Sequence, residues 1–407
     1  MRPVLVDEAA ELAGVESGEC ADDDVAAGLD RGQNGRPLGS PRNLAYVLVN
    51  DARWDARIRW SSFEDLALLD GRPLVDDDIT TVGLWMDEVY GLRVSVDTLL
   101  RGVVHVARQN EVHPVGEWLD DLVWDGEQRL DHVLARRFGA EATALNAELG
   151  RRWFIGAVAR VFQPGCKVDT MLVLVGAQGV GKSTACAALV PRETWFSDTP
   201  FDLRSKDAYL QLQGVWLYEV AELQALRRGN AEAVKAFLSS RRDRYRRPYG
   251  RLVEDHPRQV VFIGTTNDEE FLEDATGSRR FWPVRTGRVD VGGIRMDSDQ
   301  LWAEAVVRYR EGERWWLDGV GEAALRALSR GHEAGDPWED AIGRWVERQT
   351  EAFTVEQVLA EALGVPIERM DRGRRTRVGV VLARMGCRKS RPRGTATRTR
   401  VWTRGEE

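Results

Sequence analysis

Gly176, Ala177, Gln178, Gly179, Val180, Gly181, Lys182 and Ser183 fit the pattern GxxxxGK[ST], between the apolar run at 171–175 and the alanine-rich stretch at 184–189. A strand-like run, a glycine-rich turn and a helix, in that order, is the context the pattern requires. The glycines let backbone N–H groups curl around phosphate oxygens. Lys182 then reaches the β and γ phosphates of ATP, Ser183 ligates Mg2+, and Thr184 continues the loop into the helix. Three more short apolar runs follow at 215–218, 260–263 and 281–284, separated by helical or basic segments. Short buried strands between helices imply an α/β fold with a parallel sheet covered on both faces.

Nucleotide hydrolysis at such a loop needs a carboxylate at a neighbouring strand end, to hold the metal and position water. The run at 215–218 leads straight into Glu219, expected at the strand tip as a Mg2+ ligand and catalytic acid. Glu222, one helical turn further on, is either a second catalytic acid or a surface carboxylate. The strand at 260–263 runs through Gly264, Thr265 and Thr266 into Asn267, read either as a sensor amide beside the γ phosphate or as an Asx turn closing the strand. Arg279 and Arg280 precede the aromatic strand at 281–284. They are either fingers that stabilise transition-state charge, supplied across a subunit boundary, or solvated surface arginines.

Two basic regions point to nucleic acid. Arg241, Arg242, Arg244, Tyr245, Arg246, Arg247 and Tyr249 alternate cations with aromatics, the combination that pairs phosphates and stacks bases of single strands. A solvated basic face is the alternative. Residues 371–404 carry twelve Arg or Lys against one Asp, among them Arg374, Arg375, Arg377 and Arg393. Thr354 and Gln357 form a capping-box pattern before a helix ending at Gly364; a second, basic helix and a hairpin around 392–394 follow. Helix, basic helix, hairpin is the order of a winged-helix binder of duplex DNA, with an RNA-binding or merely sticky appendage as the alternative.

Composition sets the boundaries. The 407 residues exceed one typical domain. The net charge of −8 is uneven: residues 1–40 hold nine acids against three arginines and read as an acidic disordered leader. Residues 41–163 form a mainly helical N-terminal domain, with Ser95 capping a helix through Gln109. The core spans 164–325, a helical linker 326–350, and the basic domain 351–407. No apolar run approaches membrane-spanning length, and the start of the chain lacks a secretory pattern, so a cytoplasmic location with no membrane partner is expected. The four cysteines form no CxxC pair.

Taken together, the blocks His113-Pro114, Trp124-Asp125-Gly126, Pro164-Gly165, the glycine loop, 216–223, 244–249, 265–267 and 277–282 resemble the virulence-associated E family of phage and mobile-element proteins. The ATPase of that family is similar to superfamily III replicative helicases. The resemblance implies a P-loop NTPase core of AAA+ type, with the helical domain before it and the winged-helix-like domain after it. It implies a ring, usually a hexamer, that moves single-stranded DNA through its centre. On that likeness Lys182 and Ser183 bind ATP and Mg2+, Glu219 is the strand-tip acid, Asn267 the first sensor, Arg279 or Arg280 the finger acting between subunits, and 241–251 the DNA-contacting hairpin. Superfamily III proteins commonly carry two adjacent acids at the strand tip, whereas Val220 and Ala221 separate Glu219 from Glu222 here. The region before the core is short for a primase, so any priming is expected from a separate protein. The leading expectation is an ATP-dependent DNA helicase or translocase in replication of a phage, plasmid or integrated element. An ATP-switched initiator or regulator without unwinding, possible also in phage defence, is the alternative, and a small-molecule kinase is a third.

Overall fold

The structure is a computed structural model that describes residues 21–200, 208–221, 231–246, 253–269, 279–329, 338–390 and 401–404. Two compact units are present: Met1–Phe271 with Ala275–Gly331, and Leu272–Asp274 with His332–Glu407.

The first unit opens with helix α1 (Asp23–Ala27), where the Asp22 carboxylate accepts the N–H groups of Asp24 and Val25. Val25 and Leu29 are buried with Leu44 and Val47 of α2 (Pro41–Asn50). The Asn43 side chain accepts from the Asp30 N–H and donates to the carbonyls of Asp30 and Leu38. The leader expected to be disordered through residue 40 is therefore folded from residue 21. Its few apolar side chains reach a neighbouring helix, a placement that acidic composition conceals.

Residues 41–163, expected to be mainly helical, also contain a small sheet. Its strands are β1 (Ile58–Ser61), β2 (Leu66–Leu69), β3 (Arg72–Pro73) and, after α3 (Asp76–Tyr90) and α4 (Val96–Gln109), β4 (Glu111–Val112), in the order β3-β2-β1-β4. Asp65 and Asp70 take positive φ of 55° and 51° in the turns, a conformation aspartate tolerates better than most residues. Helix α4 starts at its expected cap, with the Ser95 hydroxyl accepting the Thr98 N–H at 3.2 Å.

Helices α5 (Pro114–Asp121), α6 (Val133–Phe138) and α7 (Ala144–Phe162) lead into the larger sheet. There follow β5 (Met171–Val175), α8 (Lys182–Ala188), β6 (Phe196–Ser197), β7 (Leu217–Ala221), α9 (Ala231–Leu238), a hairpin of β8 (Arg242–Arg246) and β9 (Val253–Pro257), β10 (Val261–Thr266), β11 (Phe281–Arg285), α10 (Val291–Arg310) and α11 (Gly319–Ser329). The strand order is β11-β5-β10-β7-β6, and every neighbouring pair is parallel. The fold is thus mixed α/β with a parallel sheet. All five residues of β5 and all six of β10 are buried, which is why these strands read as unbroken apolar or small-residue runs. Strand β6, only two residues long, left no periodic signal.

Trp153 and Phe154 of α7, Trp216 beside β7 and Trp302 of α10 form the centre of the core. The indole N–H groups of these three tryptophans each find a carbonyl: Trp153 donates to Phe262, Trp216 to Ala157 and Trp302 to Leu189. That satisfaction lets these three sit in the interior without an unpaired donor.

The root of the β8/β9 hairpin is fixed by a buried charge pair. Arg258 donates to both carboxylate oxygens of Asp243 and to the Phe237 carbonyl, and its guanidinium lies 4.3 Å from the Phe237 ring centre. Replacing one partner strands the other in the interior, so Asp243→Ala is expected to cost about 3–5 kcal/mol of stability. Denaturant unfolding checks this; a loss below about 1 kcal/mol, the worth of an exposed pair, would contradict it.

In the second unit α12 (Glu339–Val346) is followed by Phe353, α13 (Val355–Gln357, continuing as a π-helical turn Val358–Ala362), α14 (Arg372–Arg384), and the hairpin β12 (Arg388–Ser390) with β13 (Val401–Thr403). Phe353 and Trp402 exchange both backbone hydrogen bonds, at 2.9 and 2.7 Å, which adds a third segment beside the hairpin. The capping box at Thr354 and Gln357 forms as read from the sequence. Ile342, Phe353, Leu359, Val378, Leu382 and Trp402 make up much of the unit's own core. Among the described residues no helix is long and apolar enough to cross a membrane.

Candidate functional site

Parallel strands deliver all their carboxyl ends to one edge, where α/β sheets bind ligands. The glycine loop leaves β5 at that edge and enters α8. Gly176 and Gly181 are constrained there for different reasons. Gly181 adopts φ 96°, which L side chains avoid, and a Cβ on Gly176 would fall 2.5 Å from Thr286 Oγ1 and 2.7 Å from the Thr286 carbonyl oxygen. Ala177, Gln178, Gly179 and Val180 make up the turn between them, and Ser183 and Thr184 lie in the first turn of α8.

The Lys182 side chain folds back over the loop, with Nζ donating to the carbonyls of Gly176 at 2.7 Å and Ala177 at 2.8 Å. Only 9% of Lys182 is exposed. Burial pushes its pKa below the ordinary lysine value, and the charge of Glu219 opposes that shift. A cation held by neutral carbonyls on a glycine loop is arranged to accept an anion.

Among the described residues, Glu219 is the acid bonded to Ser183 beside this loop. It lies inside β7, level with Ile263 of β10, two residues before the strand ends rather than at its tip as expected. One carboxylate oxygen, Oε1, accepts from Ser183 Oγ at 2.6 Å and from Thr265 Oγ1 at 2.5 Å. The other, Oε2, is buried and has no hydrogen-bond partner among the described residues. An orphaned carboxylate oxygen beside a serine hydroxyl fits a small hard cation such as Mg2+, which takes one or two protein oxygens and completes its shell with phosphates and water. No cluster of three or more His, Cys, Asp or Glu able to hold a metal occurs among the described residues, and a nucleotide-borne cation needs none.

The sequence reading placed Thr265 in the run into Asn267 but gave it no role of its own. Only the pairing of β10 between β5 and β7 brings it to Glu219. Asn267 stands just beyond β10, at the same edge, and is exposed. Glu222 lies outside the described residues.

Arg279 and Arg280, expected as fingers acting between subunits, lie away from their own loop. In the β11/β5 register Phe281 faces Met171 and Arg285 faces Val175, so Arg279 and Arg280 precede the strand at its entering end, opposite the glycine loop. Five residue steps of about 3.3 Å separate Arg280 from the level of Val175, farther than its side chain reaches. Arg280 is engaged locally, donating to Ser239 Oγ at 2.8 Å and lying 4.0 Å from Asp169. Arg279 is exposed and lines a cavity of about 400 Å3 with Lys167, Asp169, Trp315 and Trp316.

Of the expected nucleic-acid contacts, Arg242 and Arg244 project from β8 into solvent, with Arg244 3.7 Å from Asp255. Arg241 Nε donates to the Gly165 carbonyl, and Tyr245 stacks on His256 with ring centres 4.1 Å apart. Arg246 ends β8; Arg247 and Tyr249 lie outside the described residues. In the second unit Arg374 bonds Asp371, Arg375 lies 3.4 Å from Glu356, and Arg377 covers the Trp338 ring at 4.0 Å. Arg393 is outside the described residues.

The sequence model of the virulence-associated protein E-like domain matches residues 119–334, more than half of the chain, and the chain belongs to that family. No curated protein matches it. Similar solved structures include the apo C-terminal region (305–718) of NrS-1, with TM-score 0.39, 12% identity, and 70% of this chain and 78% of that chain covered. Two A-form apo structures of the same region have TM-scores of 0.39 and 0.42 at 14% identity, with the same coverage.

Proposed function

We propose that the chain is an ATP-dependent DNA helicase or translocase, built on a P-loop ATPase core of AAA+ or superfamily III type, that serves replication of a phage, plasmid or integrated element. The observation that carries this reading is the convergence of Ser183, Glu219 and Thr265 under the glycine loop, with one Glu219 oxygen unpartnered in the interior. Ser183 and Glu219 would hold Mg2+, which supplies charge neutralisation to a bound triphosphate. Lys182 exchanges its loop carbonyls for phosphate oxygens. Glu219 holds the Ser183 hydroxyl in place and, with Asn267, lies where an attacking water is oriented.

Arg279 or Arg280 serves as the finger only for a neighbouring copy, because the strand register keeps both from their own loop. Arg279 suits the role better, since Arg280 is tied to Ser239. A ring such as a hexamer is one way to supply such a neighbour. The β8/β9 hairpin supports single-strand contact through Arg242 and Arg244. The helix, helix, helix and hairpin order of the second unit supports a winged-helix-like duplex binder using Arg374, Arg375 and Arg377. A separate primase remains a suitable partner.

The test is strand separation on a forked duplex together with phosphate release with and without single-stranded DNA. Unwinding that needs ATP and Mg2+ is expected, with hydrolysis stimulated by the single strand. Stimulated hydrolysis with no unwinding would favour the ATP-switched initiator. Hydrolysis indifferent to DNA would overturn both.

A further inference from the structure

We infer that Arg285 is an additional nucleotide-contacting residue, held at the mouth of the glycine loop by Glu269 until a polyphosphate takes that carboxylate's place. The inference rests on the reading of this loop as an ATP site and adds a residue to it. Strand β5 is flanked by β11 and β10, and Val175, its last residue, is level with Arg285 on one side and Thr266 on the other. Glu269 follows Thr266 by three residues. Arg285 Nη2 donates to Glu269 Oε2 at 2.9 Å. Strands lie about 4.8 Å apart, so the pair bridges the roughly 10 Å between the flanking strands, across the end of β5 where Gly176 begins the loop.

The backbone beside Arg285 is fixed against that loop. The Thr286 N–H donates to the Val175 carbonyl at 2.7 Å, the Gly176 N–H donates to the Thr266 carbonyl at 3.1 Å, and Thr286 occupies the space a Gly176 side chain would need. The two charged side chains are by contrast 62% and 63% exposed. An ion pair so solvated is worth little, and giving up its carboxylate for a phosphate exchanges a weak contact for a stronger one. A guanidinium matches phosphate oxygens with two parallel donors, which an ammonium does not. Lys182 meanwhile lies folded onto the carbonyls of Gly176 and Ala177, so an entering anion meets Arg285 at the rim before it displaces the lysine within.

Titration calorimetry of the full chain with ATP and with AMP, in the presence of Mg2+, tests this. Arg285→Ala is expected to weaken ATP binding about tenfold or more, the worth of one charge-assisted hydrogen bond, and AMP binding far less. Arg285→Lys should recover part of the loss. Glu269→Gln should tighten ATP binding a few-fold, because a competitor is removed, and adding it to Arg285→Ala should change nothing further. The inference falls if wild type binds ATP, Lys182→Ala does not, and Arg285→Ala binds normally; the loop reading then stands alone. It falls equally if AMP loses as much as ATP, or if Glu269→Gln weakens binding as Arg285→Ala does, since the pair is then only structural. Absence of ATP binding by the wild-type chain overturns the loop reading and this inference with it.

Discussion

Lys182→Ala is expected to reduce ATP hydrolysis about 10³-fold or more, the scale on which a preorganised charge at the transferring group acts. The structure buries this lysine and makes it the inner support of the loop. Alanine therefore removes both the charge and two hydrogen bonds, each worth about 1 kcal/mol net. The loop should loosen while the sheet, whose core lies elsewhere, keeps its cooperative unfolding. Phosphate release and thermal melting measured on the same preparation separate these effects. Undiminished turnover in a folded variant would remove the proposed ATP site.

Glu219→Gln should leave ATP binding largely intact and slow hydrolysis about 10²-fold or more. The amide is nearly isosteric, and its oxygen still accepts from Ser183 and Thr265, so the packing around β7 survives. What disappears is the negative charge, and with it the second oxygen's ability to serve a cation. Binding of ATP with Mg2+, measured beside single-turnover hydrolysis, distinguishes lost chemistry from lost affinity. Should Glu222→Gln prove the more damaging change, the catalytic acid is Glu222 and Glu219 is a ligand or a positioning residue.

The parts of this molecule that could be read from sequence are those whose information is local. The buried run of β5, the glycines of the loop and the Ser95 and Thr354 caps each announce themselves within a few residues. Contacts between strands are another matter. Thr265 meets Glu219 because β10 pairs with β7, and Arg285 meets Glu269 because β5 lies between β11 and β10; nothing in these segments taken singly specifies that order. The same holds for β1 to β4, whose short strands are broken by aspartates in left-handed turns, and for α1, whose acidic surroundings mask the burial of Val25. Arg279 and Arg280, read as fingers acting between subunits, are carried by the parallel register to the end of the sheet opposite their own loop, a placement that their order after the presumed sensor does not specify.

That opposition gives each molecule a head and a tail. If, as proposed, an arginine is lent from one end and needed at the other, a two-fold partner cannot satisfy both ends, because an isologous contact pairs like surfaces. The exchange would have to pass in one rotational sense from copy to copy, ending only when the last returns to the first or when the chain of subunits stays open. Hydrolysis per subunit would then rise steeply with protein concentration, and a short open assembly would always keep one idle site at its end.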